Sequence, residues 1–197
     1  MLVDDDVLID AGTGIGDLSL AELQPIRHVF LTHAHLDHIA GLPLLVDTVF
    51  DEEFDTPVTV YARDETLRAI QDHLFNDVIW PDFGRLPSPE HPMLRYQVCS
   101  PGDTVTIGNR DFYAVDVMHS VPSLGFTVQN SGGAFAVSGD TKTNETLWPV
   151  LNACDDLKVL VIEVSFPDEM EQLAADAGHY CPRTLTRDLL RLQHDPE

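Results

Sequence analysis

Lysine is nearly missing from this chain: two of 197 residues, Lys142 and Lys158. Basic residues of both kinds number 11 against 33 acidic ones, giving a formal net charge of −22. A field of that sign repels polyanions, so long RNA or DNA is not an expected partner unless a bound cation reverses the potential locally. Much of the acidity reads as solvated surface. Cysteine is also scarce: Cys99, Cys154 and Cys181 are odd in number and far apart, which argues against a disulfide framework and a cysteine-based zinc knuckle. No apolar run reaches the roughly 18 residues needed to cross a membrane. The start, "MLVDDDVLID", lacks the basic and apolar regions of a signal peptide. A cytoplasmic protein without membrane partners is the expectation.

What is present is an ordinary apolar fraction of 44%, enough for one core in one domain over 1–197. Short apolar strands are expected at Val7–Asp10, in "HVFLT", "PVTVYA", "DFYAVDVMH", "LGFTVQ", "GAFAVSGD" and "LKVLVIEVSF". Helical spacing runs through "DHIAGLPLLVDTVF", with Asp37 near the start and Pro43 in the first turn or at a kink. Further helices are expected in "DETLRAIQDHLF", in "NETLWPVLNAC" with Asn144 as cap, and in "RTLTRDLLRLQ". Four prolines mark Pro81 to Pro92 as a loop. Alternating strands and helices give an α/β class.

The chemistry concentrates in "THAHLDH", where His33, His35, Asp37 and His38 fall within six residues. Imidazoles and a carboxylate are poor core material, so stability does not call for them. His33 and His35 are two apart and point the same way in an extended stretch. Asp37 and His38 are adjacent, project differently and suit a second centre. Two ions need more ligands, and His119 and Asp140, each just after an apolar strand, are the further donors. An aspartate can bridge. Zinc takes such a set readily, and manganese or iron also fit. His28, His73, His91 and His194 read as ordinary core or surface residues.

"THAHLDH" resembles the HxHxDH signature of the metallo-β-lactamase fold. "HAHLDHIAGLP", "FNDVIWPDF", "HSVPSLGF", "SGDT", "VIEVSFPDE" and "GHYCP" follow in the order expected of class II 3′,5′-cyclic nucleotide phosphodiesterases and their bacterial relatives, from about Val7 to about Leu192. The resemblance implies a four-layer αββα sandwich, here short at both ends relative to the family. It implies that His33, His35 and His119 hold one divalent ion, that Asp37, His38 and His179 hold a second, and that Asp140 bridges them. Asp10 would orient ligand histidines from behind. Tyr180 and Cys181 stand where the family often has Leu and Thr.

The implied reaction is hydrolysis of cyclic AMP or cyclic GMP at phosphorus. Asp37 and Glu163 are the catalytic candidates, with Glu163 or Ser120 as proton donor to the leaving oxygen. Trp80 and Phe83 offer faces to the base, with plain core packing as the competing role. A ribonuclease-Z-like tRNA 3′-end endonuclease, a thioester or lactone hydrolase, and an inactive metal-binding fragment are the alternatives. A small cyclic nucleotide is the expected partner, with a homodimer as a further possibility.

Overall fold

The computed structural model describes residues 1–50 and 56–193. His194 lies outside the described residues. The chain forms two compact units, Met1–Val98 and Cys99–Glu197.

The first unit holds β1 (Leu2–Val3), β2 (Val7–Ile9), α1 (Leu20–Leu23), β3 (His28–Phe30), α2 (Leu36–Ile39), α3 (Leu42–Thr48), β4 (Val58–Ala62), α4 (Asp64–His73), a short hairpin of β5 (Pro87–Ser88) and β6 (His91–Pro92), and β7 (Leu94–Val98). Its sheet runs β1-β2-β3-β4-β7. β1 pairs antiparallel with β2, and the remaining pairs are parallel. Central parallel strands are covered on both faces and so read as unbroken apolar runs. "VLI" of β2 is accordingly buried at all three positions. Leu8, Val29, Leu31, Leu42, Leu45, Val60 and Ile70 share the core of this unit.

The sequence pattern predicts one helix through "DHIAGLPLLVDTVF", and the structure breaks it in two at Gly41. The Gly41 amide donates to the Ala11 carbonyl (2.8 Å), so a tertiary bond takes the place of a helical one. Pro43 then falls in the first turn of α3, where its missing N–H costs nothing. The Pro81–Pro92 loop contains the β5–β6 hairpin.

The second unit holds β8 (Thr104–Ile107), β9 (Arg110–Val117), β10 (Ser123–Asn130), β11 (Gly133–Val137), α5 (Leu147–Ala153), β12 (Leu157–Val161), α6 (Glu171–Ala177) and α7 (Pro182–Leu189). Its sheet runs β12-β11-β10-β9-β8, antiparallel except for the β11–β12 pair. Val115, Val117, Ala136, Trp148, Leu151, Tyr180 and Leu185 pack together in its core. The expected Asn144 cap acts from a distance. Thr146 occupies the cap position, while the Asn144 Oδ1 accepts the Leu147 amide at 2.9 Å. β12 is the sheet edge, and Val159 and Val161 are exposed. Among the described residues no helix is long and apolar enough to cross a membrane.

Candidate metal centre

In the first unit, parallel β2 and β3 end side by side and deliver Asp10 and Thr32 together. Asp10 continues the ladder by donating its amide to the Phe30 carbonyl (2.8 Å), then turns at φ 57°. Aspartate is among the few side chains that tolerate this left-handed region. The turn aims its carboxylate across the strand ends. Oδ1 accepts the Thr32 amide at 2.8 Å, and Oδ2 lies 2.9 Å from the Thr32 hydroxyl and 2.7 Å from His38 Nδ1. A carboxylate accepts only, so His38 Nδ1 carries the proton and Nε2 presents its lone pair on the opposite side. Nε2 lies 3.6 Å from Asp37 Oδ2.

The backbone fixes this arrangement. Ala11 donates its amide to the His38 carbonyl (2.8 Å). A side chain at Gly12 would put its Cβ 1.8 Å from the Asp37 carbonyl oxygen, so only glycine lets the Asp10 turn back onto the α2 turn. His33 Nε2 and His35 Nδ1 stand 2.9 Å apart. Two imidazole nitrogens bound to one tetrahedral zinc at about 2.0–2.1 Å are roughly 3.3 Å apart. The two nitrogens are close enough to converge on one cation, and Asp37 with His38 adds two further donor groups to the same turn.

In the second unit, His119 follows β9 and Asp140 follows β11. His119 Nδ1 donates to the Gly178 carbonyl (2.9 Å), which leaves Nε2 to face the Asp140 carboxylate at 3.9 Å. Gly178 ends α6 at φ 86°, and a Cβ there would sit 2.9 Å from His119 Nδ1. Glycine is required on both counts. His179 comes next, its ring 4.8 Å from that of His119. Its Nδ1 donates to Glu163 Oε1 at 2.9 Å. This repeats in the second unit the carboxylate–imidazole pairing of Asp10 and His38, the pattern that fixes the tautomer of metal-ligating histidines. The donor sets in both units fit a divalent cation.

Other expected site residues land differently. Glu163 Oε1 also accepts the Thr141 and Tyr180 amides, at 3.1 and 3.3 Å, and Oε2 accepts the Ser165 hydroxyl at 2.9 Å. A carboxylate accepting four donors is built to hold His179 and its neighbours in place, not to deliver a proton. The Ser120 hydroxyl is 3.4 Å from His119 Nε2. Phe83 is 4% exposed and packs against Phe50 and Phe75, so core packing takes the faces expected to meet a base. Trp80 packs partly against the same core. The exposed apolar residues of that segment are instead Val78 and Ile79. They ride on a turn where Asn76 Oδ1 accepts both of their amides and Arg85 clamps Asp77 and Asp82.

Sequence reasoning missed Thr32, fully buried, whose hydroxyl is within 3.0 Å of Asp10 Oδ2 and of His33 Nδ1. A threonine directly before the histidine cluster was the available signal. It also missed the Tyr180 hydroxyl bond to the buried Asp188 (2.9 Å), which anchors the turn carrying His179. His28 bonds Tyr61, and His73 and His91 sit on the surface at the end of α4 and in the β6 hairpin, away from either cluster.

Known proteins resemble this chain in sequence and fold. Residues 5–195 match the family described as "Beta-lactamase superfamily domain". The chain is 30% identical over 187 residues to a 3′,5′-cyclic-nucleotide phosphodiesterase of Aliivibrio fischeri, covering 85% of this chain and 54% of that protein. It is 30% identical over 103 residues to a ribonuclease Z of Methanococcus maripaludis, covering 51% of this chain and 31% of that one. The crystal structure of unliganded yeast PDE1 superposes with a TM-score of 0.74 at 26% identity, over 87% of this chain and 53% of that one. The chain spans about half the length of the cyclic-nucleotide phosphodiesterases it matches. The α/β fold class expected from the sequence holds, and with it the resemblance to the cyclic nucleotide phosphodiesterases and ribonuclease Z. With nearly all of its described residues inside the match, this chain belongs to the Beta-lactamase superfamily domain family, and its fold is that of the metallo-β-lactamases.

Proposed function

We propose that the chain is a metal-dependent phosphodiesterase that hydrolyses a 3′,5′-cyclic nucleotide. In this reading His33, His35 and His119 hold one divalent ion, Asp37, His38 and His179 hold a second, and Asp140 serves both. Zinc suits the imidazole-rich set best, with manganese or iron as substitutes. When bound, such ions bring the pKa of a coordinated water to about 7 and withdraw charge from phosphoryl oxygens. They also supply the positive potential that a chain of net charge −22 lacks.

The protein's own part is orientation and exclusion. Asp10 and Glu163 hold the rings of His38 and His179 with Nε2 outward. The Gly178 carbonyl does the same for His119. Ser120 is the proposed proton donor to the departing ribose oxygen, since Glu163 is occupied as an acceptor. Val78 and Ile79 are the proposed apolar wall for the base. The supporting observation is the repeated carboxylate-to-Nδ1 pairing in the two units, each beside further metal donors.

A tRNA 3′-end nuclease is the second reading, supported by the ribonuclease Z relative. The scarcity of basic residues disfavours it, because an RNA-gripping surface needs them. A panel of cyclic AMP, cyclic GMP, bis(p-nitrophenyl) phosphate and precursor tRNA, with zinc and manganese, decides the matter. Turnover of a cyclic nucleotide well above precursor tRNA supports the proposal. Cleavage of tRNA alone replaces it. Metal binding without turnover makes the chain a binding fragment.

A further inference from the structure

The second unit contains a cavity of about 480 Å3 between α6, α7 and the segment after Asp140. His179 forms part of its wall, together with Lys142, Thr143, Glu171, Thr184 and Arg187. Its volume lies within the roughly 300–1,000 Å3 of ordinary ligand pockets. The position of its charges is unexpected. In a chain with three acids per base, Lys142 has no carboxylate partner among the described residues. Its Nζ is held instead by the Ala175 carbonyl at 2.9 Å, which fixes the side chain without neutralising it. The other lysine, Lys158, is paired with Asp156 at 2.6 Å.

The remaining walls agree. Arg187 places Nη2 3.3 Å from the Thr143 hydroxyl oxygen, so that hydroxyl accepts from arginine and keeps its own proton to donate. Arg187 Nε lies 3.6 Å from Asp188 Oδ1, and the other Asp188 oxygen is taken by Tyr180. The acid on the wall, Glu171, is bonded to Arg183 at 2.8 Å. Thr184 is turned to the Cys181 backbone as part of the α7 cap. A compact ammonium, a guanidinium fork and a hydroxyl donor around one space match the oxygens of a phosphate.

We infer that this cavity binds a phosphomonoester dianion through Lys142, Arg187 and Thr143. The inference deepens the phosphodiesterase reading and rests on it only for the origin of the phosphate. Hydrolysis of a cyclic diester forms one P–O bond from water and breaks the P–O3′ bond, and O3′ takes a proton. The product phosphomonoester has a second pKa near about 6 and loses a further proton to solvent at neutral pH. The dianion therefore comes either from this product or from a second, terminal phosphate on a larger substrate.

The test uses the whole chain freed of metal with a chelator, with circular dichroism confirming that it stays folded. Calorimetry is run with inorganic phosphate, adenosine 5′-monophosphate and adenosine. Binding of the first two and not of adenosine is expected, weakened about tenfold in Lys142→Met and in Arg187→Gln. No phosphate binding by the wild type, or wild-type affinity in both variants, overturns the inference. Should Lys142→Met fail to fold, the exposed Arg187→Gln carries the test alone. These readouts need no turnover, so their failure is separate from failure of the phosphodiesterase reading.

With metal restored, two further measurements identify the source. A product site predicts weaker inhibition by adenosine 5′-monophosphate in Arg187→Gln. A substrate site predicts a fall in the kcat/KM ratio of pApA over ApA in the same variant. If neither moves, the cavity plays no part in turnover, and the assignment of its phosphate to product or substrate is overturned while the binding result stands on the calorimetry.

Discussion

The two carboxylates behind the histidines predict opposite responses to the same chemical change. Asp10→Asn keeps size and suits the left-handed backbone at φ 57°, so strain is not introduced. Its amide oxygen can take the place of Oδ1 and still accept the Thr32 amide. The NH2 then faces His38 Nδ1, now 2.7 Å from a donor instead of an acceptor. The imidazole must move its proton to Nε2 to accept that bond, which removes the lone pair proposed to ligate. Changes of this kind behind a metal ligand cost about 10- to 100-fold in metal affinity, or about 1.4–2.8 kcal/mol. Stability should fall by only about 1 kcal/mol, because most of the hydrogen bonds remain.

Glu163→Gln should be mild, because three of its four donors, His179 Nδ1 and the Thr141 and Tyr180 amides, converge on Oε1. A glutamine oxygen placed there keeps all three. Its NH2 meets the Ser165 hydroxyl, which can accept as readily as donate. The assay is zinc affinity by competition with a chromophoric chelator, together with turnover of bis(p-nitrophenyl) phosphate. Asp10→Asn with wild-type zinc affinity would refute the tautomer argument. Glu163→Gln with turnover lost but zinc retained would restore a catalytic role for Glu163.

Gly178→Ala forces an alanine to φ 86° and a Cβ to within 2.9 Å of His119 Nδ1. A lower melting temperature and weaker metal binding are expected together, and a melting temperature within error of wild type would contradict the close approach. Phe83→Ala should cost about 3–5 kcal/mol in denaturant unfolding, as for a buried aromatic. An unchanged midpoint with a raised KM for cyclic AMP would return Phe83 to the substrate pocket.

The alkaline limb of stability follows from thiols and phenols raised by burial, Cys99 and Tyr180 among them, with Tyr96 and Cys154 shifted the same way. Burial pushes the Cys99 thiol up to about 11 from 9.0. Burial and then the bond to Asp188 raise the Tyr180 hydroxyl above its ordinary 10.0. Both protons are held more tightly in the folded state, so their contribution is whole below the unfolded values and fades as pH climbs through the folded ones. Thermal midpoints should decline above about pH 9; a flat profile to about pH 11 would contradict this.

Local patterns were legible in the sequence wherever one element decides them. "VLI" and "HVF" are strands because buried parallel strands leave no polar face, and His33 and His35 share a side because extended residues two apart do. The break at Gly41 was hidden because its cause is the Ala11 carbonyl, thirty positions earlier. The position of Thr32 directly before the histidines is visible in the sequence, but its partner Asp10 is not, because that carboxylate lies 22 residues earlier. The role of Thr32 appears only once β2 and β3 end side by side. Phe83 and Val78 could not be told apart in an aromatic-rich loop, because which one turns inward depends on the Asn76 and Arg85 bonds that fold it. The partner of His179 was equally hidden, since Glu163 lies sixteen residues away on a different segment.

The proposed phosphodiesterase activity depends on the histidine and aspartate donors binding two divalent ions. Crystals grown with zinc and measured on both sides of its absorption edge test it directly. Two anomalous peaks are expected per chain, one against His33, His35 and His119 and one against Asp37, His38 and His179, with Asp140 touching both. A single peak, or peaks bound by residues outside this set, would contradict the claim.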